Sequence, residues 1–182
     1  EDGASTTVYS IGARLVNLGT TASLSLTDGL LADTVKSSAA LDVTNDGNIV
    51  VGALNSKPAY YTVDSKAWHF VKYNGLGGTI SSVTPDGRYA VGTVYPSDNE
   101  YEEKPALWNL ATGDTIATAN LPQKDMAHAN MGQNRFVGIS ADGKTVLGCM
   151  SFSYLPSGDN PGGCFYYVYN VDKQSYKVIG FT

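Results

Sequence analysis

Three lines of this chain decide how it folds: VTNDGNIVVG (43–52), VTPDGRYAVG (83–92) and ISADGKTVLG (139–148). Each runs from an apolar residue through a hydroxyl and an Asp-Gly pair into a short apolar stretch that closes on glycine. Asp-Gly flanked by alternating apolar residues is a strong local signal for a β-hairpin. A two-residue Asp-Gly loop needs positive φ at both positions, which glycine adopts freely and aspartate tolerates better than most residues. The lines therefore predict three tight hairpins. The closing glycines, Gly52, Gly92 and Gly148, fall in or just after the second strand, where glycine marks a bulge or a close backbone approach.

The lines are also rulers. From Asp46 to Asp86 is 40 residues and from Asp86 to Asp142 is 56, a repeat with a variable insertion. Each line is followed by an aromatic strand and another turn: PAYYTVDSKAWHFV (58–71), PALWNLATGDTIAT (105–118) and CFYYVYNVDKQSYKVI (164–179). Tyr61, Trp108 and Tyr169 occupy equivalent places. The same second half occurs in VYSIGARLVNLG (8–19), with Tyr9 at the aromatic position and no Asp-Gly hairpin before it, so the chain opens in the middle of a unit. Each unit reads as four short strands, in the middle one about 79–84, 88–95, 104–110 and 114–120. Four antiparallel strands repeated at this spacing are the sequence form of a β-propeller blade. The predicted fold is all-β and propeller-like, with about three and a half four-stranded antiparallel blades. Residues 1–182 form a single repeat-built domain, with a partial blade at 1–35 and blades at about 36–73, 79–120 and 134–182. Closed propellers use at least four blades, so the chain is expected to be part of a larger propeller or an open arrangement of sheets.

Composition narrows the function classes. With 17 acidic against 12 basic residues, a net charge of −5 and no cluster of Lys or Arg, the chain lacks a phosphate-tracking surface and nucleic acid is not an expected partner. No apolar run reaches membrane-helix length, so no transmembrane segment is expected. The first residues, EDGASTTVYS, show no charged-then-apolar leader pattern. Abundant Tyr, Thr, Ser, Asn and Gly with few Lys and Glu fits a secreted bacterial β protein.

ISADGKTVLG and VTNDGNIVVG, with KPALWNLATG (104–113), resemble the extracellular HAF-type repeats of bacteria and, more loosely, TolB-like and WD-like propellers. The resemblance covers most of the chain from Val43 onward. It implies a propeller scaffold and an extracytoplasmic setting, and no particular activity, because such scaffolds carry many unrelated functions.

In an up-and-down blade the Asp-Gly turns share one end of the strands with short loops at 64–66, 112–114 and 172–174. The other end collects YPSDNEYEEK (95–104), NLPQKDMAHANMGQN (120–134) and FSYLPSGDNPGG (152–163). Loops on a rigid scaffold carry function disproportionately, which makes this end the expected binding face for a protein or glycan. Its candidate ligand-binding residues are Tyr95, Tyr101, Tyr154 and His128. Tyrosine offers a flat apolar face and a hydroxyl at modest entropic cost; the alternative is loop aromatics tucked onto a blade edge. His128 stands alone, without a carboxylate or Cys at ligand spacing, and His69, between Trp68 and Phe70, reads as a surface residue of a strand. Asp98, Glu100, Glu102 and Glu103 match no defined calcium loop and read as a solvated acidic loop. No hydrolase, nucleotide-binding or zinc signature is present, so neither catalytic residues nor a cofactor or metal are expected. The rival reading is a hydrolase acting through loop carboxylates such as Asp98, Glu102 and Asp159; a third is a spacer or assembly module whose end strands pair with other chain.

Two cysteines complete the reading. Centring the hairpin of the last unit on residues 155–158 places Cys149 directly across from Cys164. In an oxidising compartment they would form a disulfide worth roughly 3 kcal/mol by chain entropy; the alternative is two reduced thiols side by side.

Overall fold

The computed structural model describes residues 14–16, 23–25, 36–96, 103–122, 133–152 and 163–181 of the 182-residue chain. Strands β1 (Arg14–Val16) and β2 (Ser23–Ser25) form an antiparallel pair. Three four-stranded sheets follow. The first holds β3 (Ser38–Val43), β4 (Ile49–Leu54), β5 (Lys57–Thr62) and β6 (Ala67–Phe70); the middle one β7 (Gly77–Val83), β8 (Tyr89–Tyr95), β9 (Lys104–Asn109) and β10 (Asp114–Ile116); the third β11 (Asn134–Ile139), β12 (Thr145–Phe152), β13 (Gly163–Asn170) and β14 (Ser175–Phe181). In each sheet every strand pairs antiparallel with its neighbour in sequence. Strand β10 is shorter than the apolar pattern implies, because the chain beyond Ile116 turns to the third sheet. There the Ala119 N–H donates to the Tyr169 hydroxyl at 3.1 Å and its carbonyl accepts from that hydroxyl at 3.0 Å.

Alternation along the strands gives the middle sheet two buried faces. Strand β7 packs on β3, β4 and β5, and β11 packs on β7, β8 and β9. The first inter-sheet core joins Val51 and Val71 to Ile80, Val83, Ala90 and Trp108; the second joins Val91 and Leu107 to Phe136, Val146, Tyr167 and Tyr169. The three equivalent aromatics stand where the repeat put them: Tyr61 opposite Val50, Trp108 opposite Ala90 and Tyr169 opposite Val146.

The closing glycines serve both expected purposes. In each sheet the inner strand carries an extra residue opposite the glycine, with the register shifting between Ala40 and Asp42, Ile80 and Ser82, and Phe136 and Gly138. A methyl group at Gly52 would stand 1.9 Å from the Ala39 carbonyl oxygen, and one at Gly92 the same distance from that of Thr79. At Gly148 the space is filled by the Tyr167 ring.

The Asp-Gly turns depart from the two-residue form. Only the glycines, at φ +73°, +72° and +73°, are left-handed; Asp46, Asp86 and Asp142 are not among the positive-φ residues. The turns are four-residue units in which Gly47, Gly87 and Gly143 donate to the carbonyls of Thr44, Thr84 and Ser140, each at 2.9 Å. The hydroxyl two residues before the aspartate is the cause. Thr44 Oγ1 donates to Asp46 Oδ1 at 2.6 Å and accepts from Ile49 N–H at 3.0 Å, while Asp46 Oδ1 also accepts from Asn48 N–H. Thr84 with Asp86 and Ser140 with Asp142 repeat the arrangement. Asp-Gly is thus part of a Thr/Ser-x-Asp-Gly clasp that closes each hairpin through side chains.

The clasp has a pH signature. The Thr84 hydroxyl, then the Arg88 amide and guanidinium, lower the Asp86 carboxyl from an ordinary 3.8 to about 2, and equivalent hydroxyl and amide bonds lower Asp46 and Asp142. A carboxyl depressed in the folded state stabilises it above the unfolded pKa, and that contribution is lost as pH falls through the folded value. The melting temperature is therefore expected to drop between pH about 4 and about 2. Asp46→Asn, Asp86→Asn and Asp142→Asn together keep an acceptor and remove the charge; the triple variant should show a shallower fall in calorimetry over that range.

Candidate functional site

The two ends of the sheets are built differently. At one end lie the clasps and the turns at 63–66, 110–113 and 171–174; at the other emerge the connections 96–103, 117–133 and 153–162. This is the division that the strand order of an up-and-down blade dictates.

Described residues at the long-connection end form one polar group between the middle and third sheets. Glu103 directly precedes β9, and its carbonyl accepts from Asn134 N–H at the start of β11 at 3.2 Å. That bond carries the Glu103 side chain into the sheet contact, where it is only 11% exposed, with Oε2 4.0 Å from Arg135 Nε. Oε2 is buried and makes no hydrogen bond within the described residues. Burial pushes the Glu103 carboxyl up, and the Arg135 charge offsets part of the rise. Asn134 is held from both sides: its Nδ2 donates to the Pro122 carbonyl and its Oδ1 accepts from the Tyr167 hydroxyl. Tyr167 is fully buried, and burial pushes its phenol up. Arg135, 40% exposed along its side chain, presents cationic donors at the edge of this group. The Arg135 guanidinium can donate to a hydroxyl or a carboxylate.

Tyr95, the last residue of β8, is half-buried; its ring lies against Gly77 and its carbonyl accepts from Leu76 N–H at 2.8 Å. Tyr101, His128 and Tyr154 lie outside the described residues, as do Asp98, Glu100, Glu102 and Asp159. Glu103 does not belong to a solvated acidic loop: the neighbouring sheet covers it. His69 is exposed and stacks on Tyr60 with ring centroids 4.9 Å apart. Among the described residues no three His, Cys, Asp or Glu side chains are grouped to hold a metal ion.

Cys149 and Cys164 lie on the two strands of one hairpin, and the expectation that they oppose each other directly is corrected by the register. Cys149 faces Tyr166, and Cys164 faces Ser151, so the two are diagonal neighbours on one face. The hairpin is centred one residue later than its turn residues imply, because Tyr169 pairs with Val146 as Trp108 pairs with Ala90. Burial of these aromatics outweighs turn chemistry in setting register. Arg135, across from Cys149, and the adjoining Cys164 thiol surround a Cys149 thiol that burial pushes up.

Three sheets of four up-and-down antiparallel strands, stacked in sequence order, define a β-propeller segment. Comparison with solved structures agrees. TolB from Acinetobacter baumannii matches with a TM-score of 0.54 at 16% identity, over 93% of this chain and 37% of that one. The tricorn protease matches with a TM-score of 0.54 at 11% identity, over 88% of this chain and 16% of that one. The chain thus spans well under half of either propeller-containing protein. No family model matches the sequence, and no curated protein matches it.

Proposed function

We propose that this chain is a noncatalytic, extracytoplasmic binding module that recognises a protein or glycan through the long-connection end of its sheets. The observation that carries the reading is the segregation of connections: the longest ones leave from the end that holds the hydrogen-bonded group of Glu103, Asn134 and Tyr167 with Arg135 beside it, while the opposite end is closed by hydrogen-bonded clasps. A scaffold stiffened at one end and elaborated at the other suits recognition by loops. Tyr95, Tyr101 and Tyr154 would provide the flat contacts, with His128 beside them, and Arg135 a cationic donor for a hydroxyl or carboxylate. The extracytoplasmic setting rests on composition.

An array of bacterial and host glycans, with a parallel panel of immobilised proteins, tests the reading. Retention of a ligand is expected, with affinity falling about tenfold or more in the Tyr95→Ala, Tyr101→Ala, Tyr154→Ala variant and holding steady in Asp46→Asn. Loss of binding in the clasp variant alone, or turnover of a retained glycan, would overturn it.

A further inference from the structure

Four Asn-Gly or Asp-Gly pairs lie among the described residues, and three of them are the clasps at Asp46, Asp86 and Asp142. The fourth is Asn74-Gly75, in the connection from β6 to β7. Such pairs carry their own chemistry. The glycine amide nitrogen lies within reach of the preceding side-chain carbonyl carbon, and glycine hinders the attack least because it has no side chain. How the fold holds the two groups decides whether they meet.

The clasps hold both. In each, the glycine N–H is committed to the carbonyl of Thr44, Thr84 or Ser140 at 2.9 Å. The aspartate Oδ1 is fixed between the Thr or Ser hydroxyl and the amide two residues on. Asn74-Gly75 is restrained in neither way. Asn74 is exposed, and among the described residues neither its side chain nor the Gly75 N–H makes a hydrogen bond. The backbone just beyond is fixed, since Leu76 N–H donates to the Tyr95 carbonyl at 2.8 Å and a methyl group at Gly75 would stand 2.4 Å from the same oxygen. The unrestrained pair therefore borders Tyr95 at the long-connection end.

We propose that Asn74 is a site of spontaneous covalent modification, converting to isoaspartate and aspartate through a succinimide. The Gly75 nitrogen bonds to Asn74 Cγ, the bond from Cγ to the amide nitrogen breaks, and ammonia leaves with the proton from Gly75. Water then adds to one imide carbonyl and breaks its bond to nitrogen. Opening at the original backbone carbonyl leaves isoaspartate, which lengthens the backbone by a methylene group; either product replaces a neutral amide with a carboxylate. The added methylene falls just before the close contact of Gly75 with Tyr95 and displaces it. The chemistry needs no ligand and is independent of the binding reading above.

A second Asn-Gly pair placed inside a clasp provides the test. Asp86→Asn gives position 86 the same dipeptide chemistry as Asn74, and trypsin, cutting after Lys72 and Arg88, releases both in one peptide. The folded variant is held at body temperature in mildly alkaline buffer, with a duplicate in urea, and the peptide is sequenced by tandem mass spectrometry. In the folded protein position 74 should convert while position 86 remains an amide; in urea both should convert at similar rates. The product at 74 should accept a methyl group from protein L-isoaspartyl methyltransferase. Persistence of Asn74 in the folded protein overturns the proposal. So does conversion at 86 as fast as at 74, or a product at 74 that never accepts the methyl group.

Discussion

Replacing Trp108 with alanine is expected to lower the unfolding free energy by about 3–5 kcal/mol, the range for removing a large buried aromatic. Trp108 is 0% exposed and stands in the core between the first and middle sheets with Val51, Val71, Ile80 and Val83. Its Nε1 also donates to the Lys72 carbonyl at 2.9 Å, an acceptor shared with the Thr115 hydroxyl at 2.7 Å. The neighbours that would have to collapse into the vacancy belong to two sheets whose spacing is held elsewhere, so relaxation is small and the cost falls in the upper part of the range. Urea denaturation followed by circular dichroism checks it. A loss below about 1 kcal/mol would show that the sheets are not packed through this residue.

A single added methyl group should do at least as much damage at Gly92. In Gly92→Ala the new carbon would stand 1.9 Å from the Thr79 carbonyl oxygen and 2.8 Å from Ile80 Cα, both backbone atoms of β7. No side chain can rotate out of the way. Relief requires β7 to move off β8 at the bulge, which also withdraws Ile80 from the core against the first sheet. A cost above about 4 kcal/mol is expected, among the largest single-residue effects, and it would consume much of the roughly 5–15 kcal/mol that holds an ordinary domain folded. Gly47→Ala is the control. Its methyl group meets nothing within 4 Å, and only the positive φ of +73° opposes it, a penalty of about 1–2 kcal/mol. Urea midpoints of the two variants separate steric from conformational demand within one repeated line.

The fold was legible because its signals are local and occur three times. Asp-Gly spacing, the aromatic at Tyr61, Trp108 and Tyr169, and the closing glycines led to four-stranded antiparallel units. The turn geometry is not legible from Asp-Gly alone; its sign is the recurrence of a hydroxyl two places before each aspartate, at Thr44, Thr84 and Ser140, which announces a side-chain clasp. The cysteine register shows the same competition: the turn residues at 155–158 imply Cys149 across from Cys164, while the aromatic alignment sets Tyr169 across from Val146 and shifts the pairing. The site was less legible. Glu103 sits in a run of acidic residues and looks solvated; its burial comes from Asn134 and Arg135 of the next sheet, more than thirty residues away. Nothing in the spacing of a single unit reports that contact.

Every strand of the three sheets pairs with the strand just before or after it in the chain, and among the described residues the two inter-sheet cores join each sheet to its sequential neighbour. The conformational search for each sheet is therefore confined to a few dozen consecutive residues, and native contact order stays low for an all-β protein, the condition under which folding is fast. Energetically the molecule approximates a short one-dimensional array, with one term per sheet and one per junction. The middle sheet takes part in both junctions, so it is the unit whose opening severs the array, while the outer two can loosen singly.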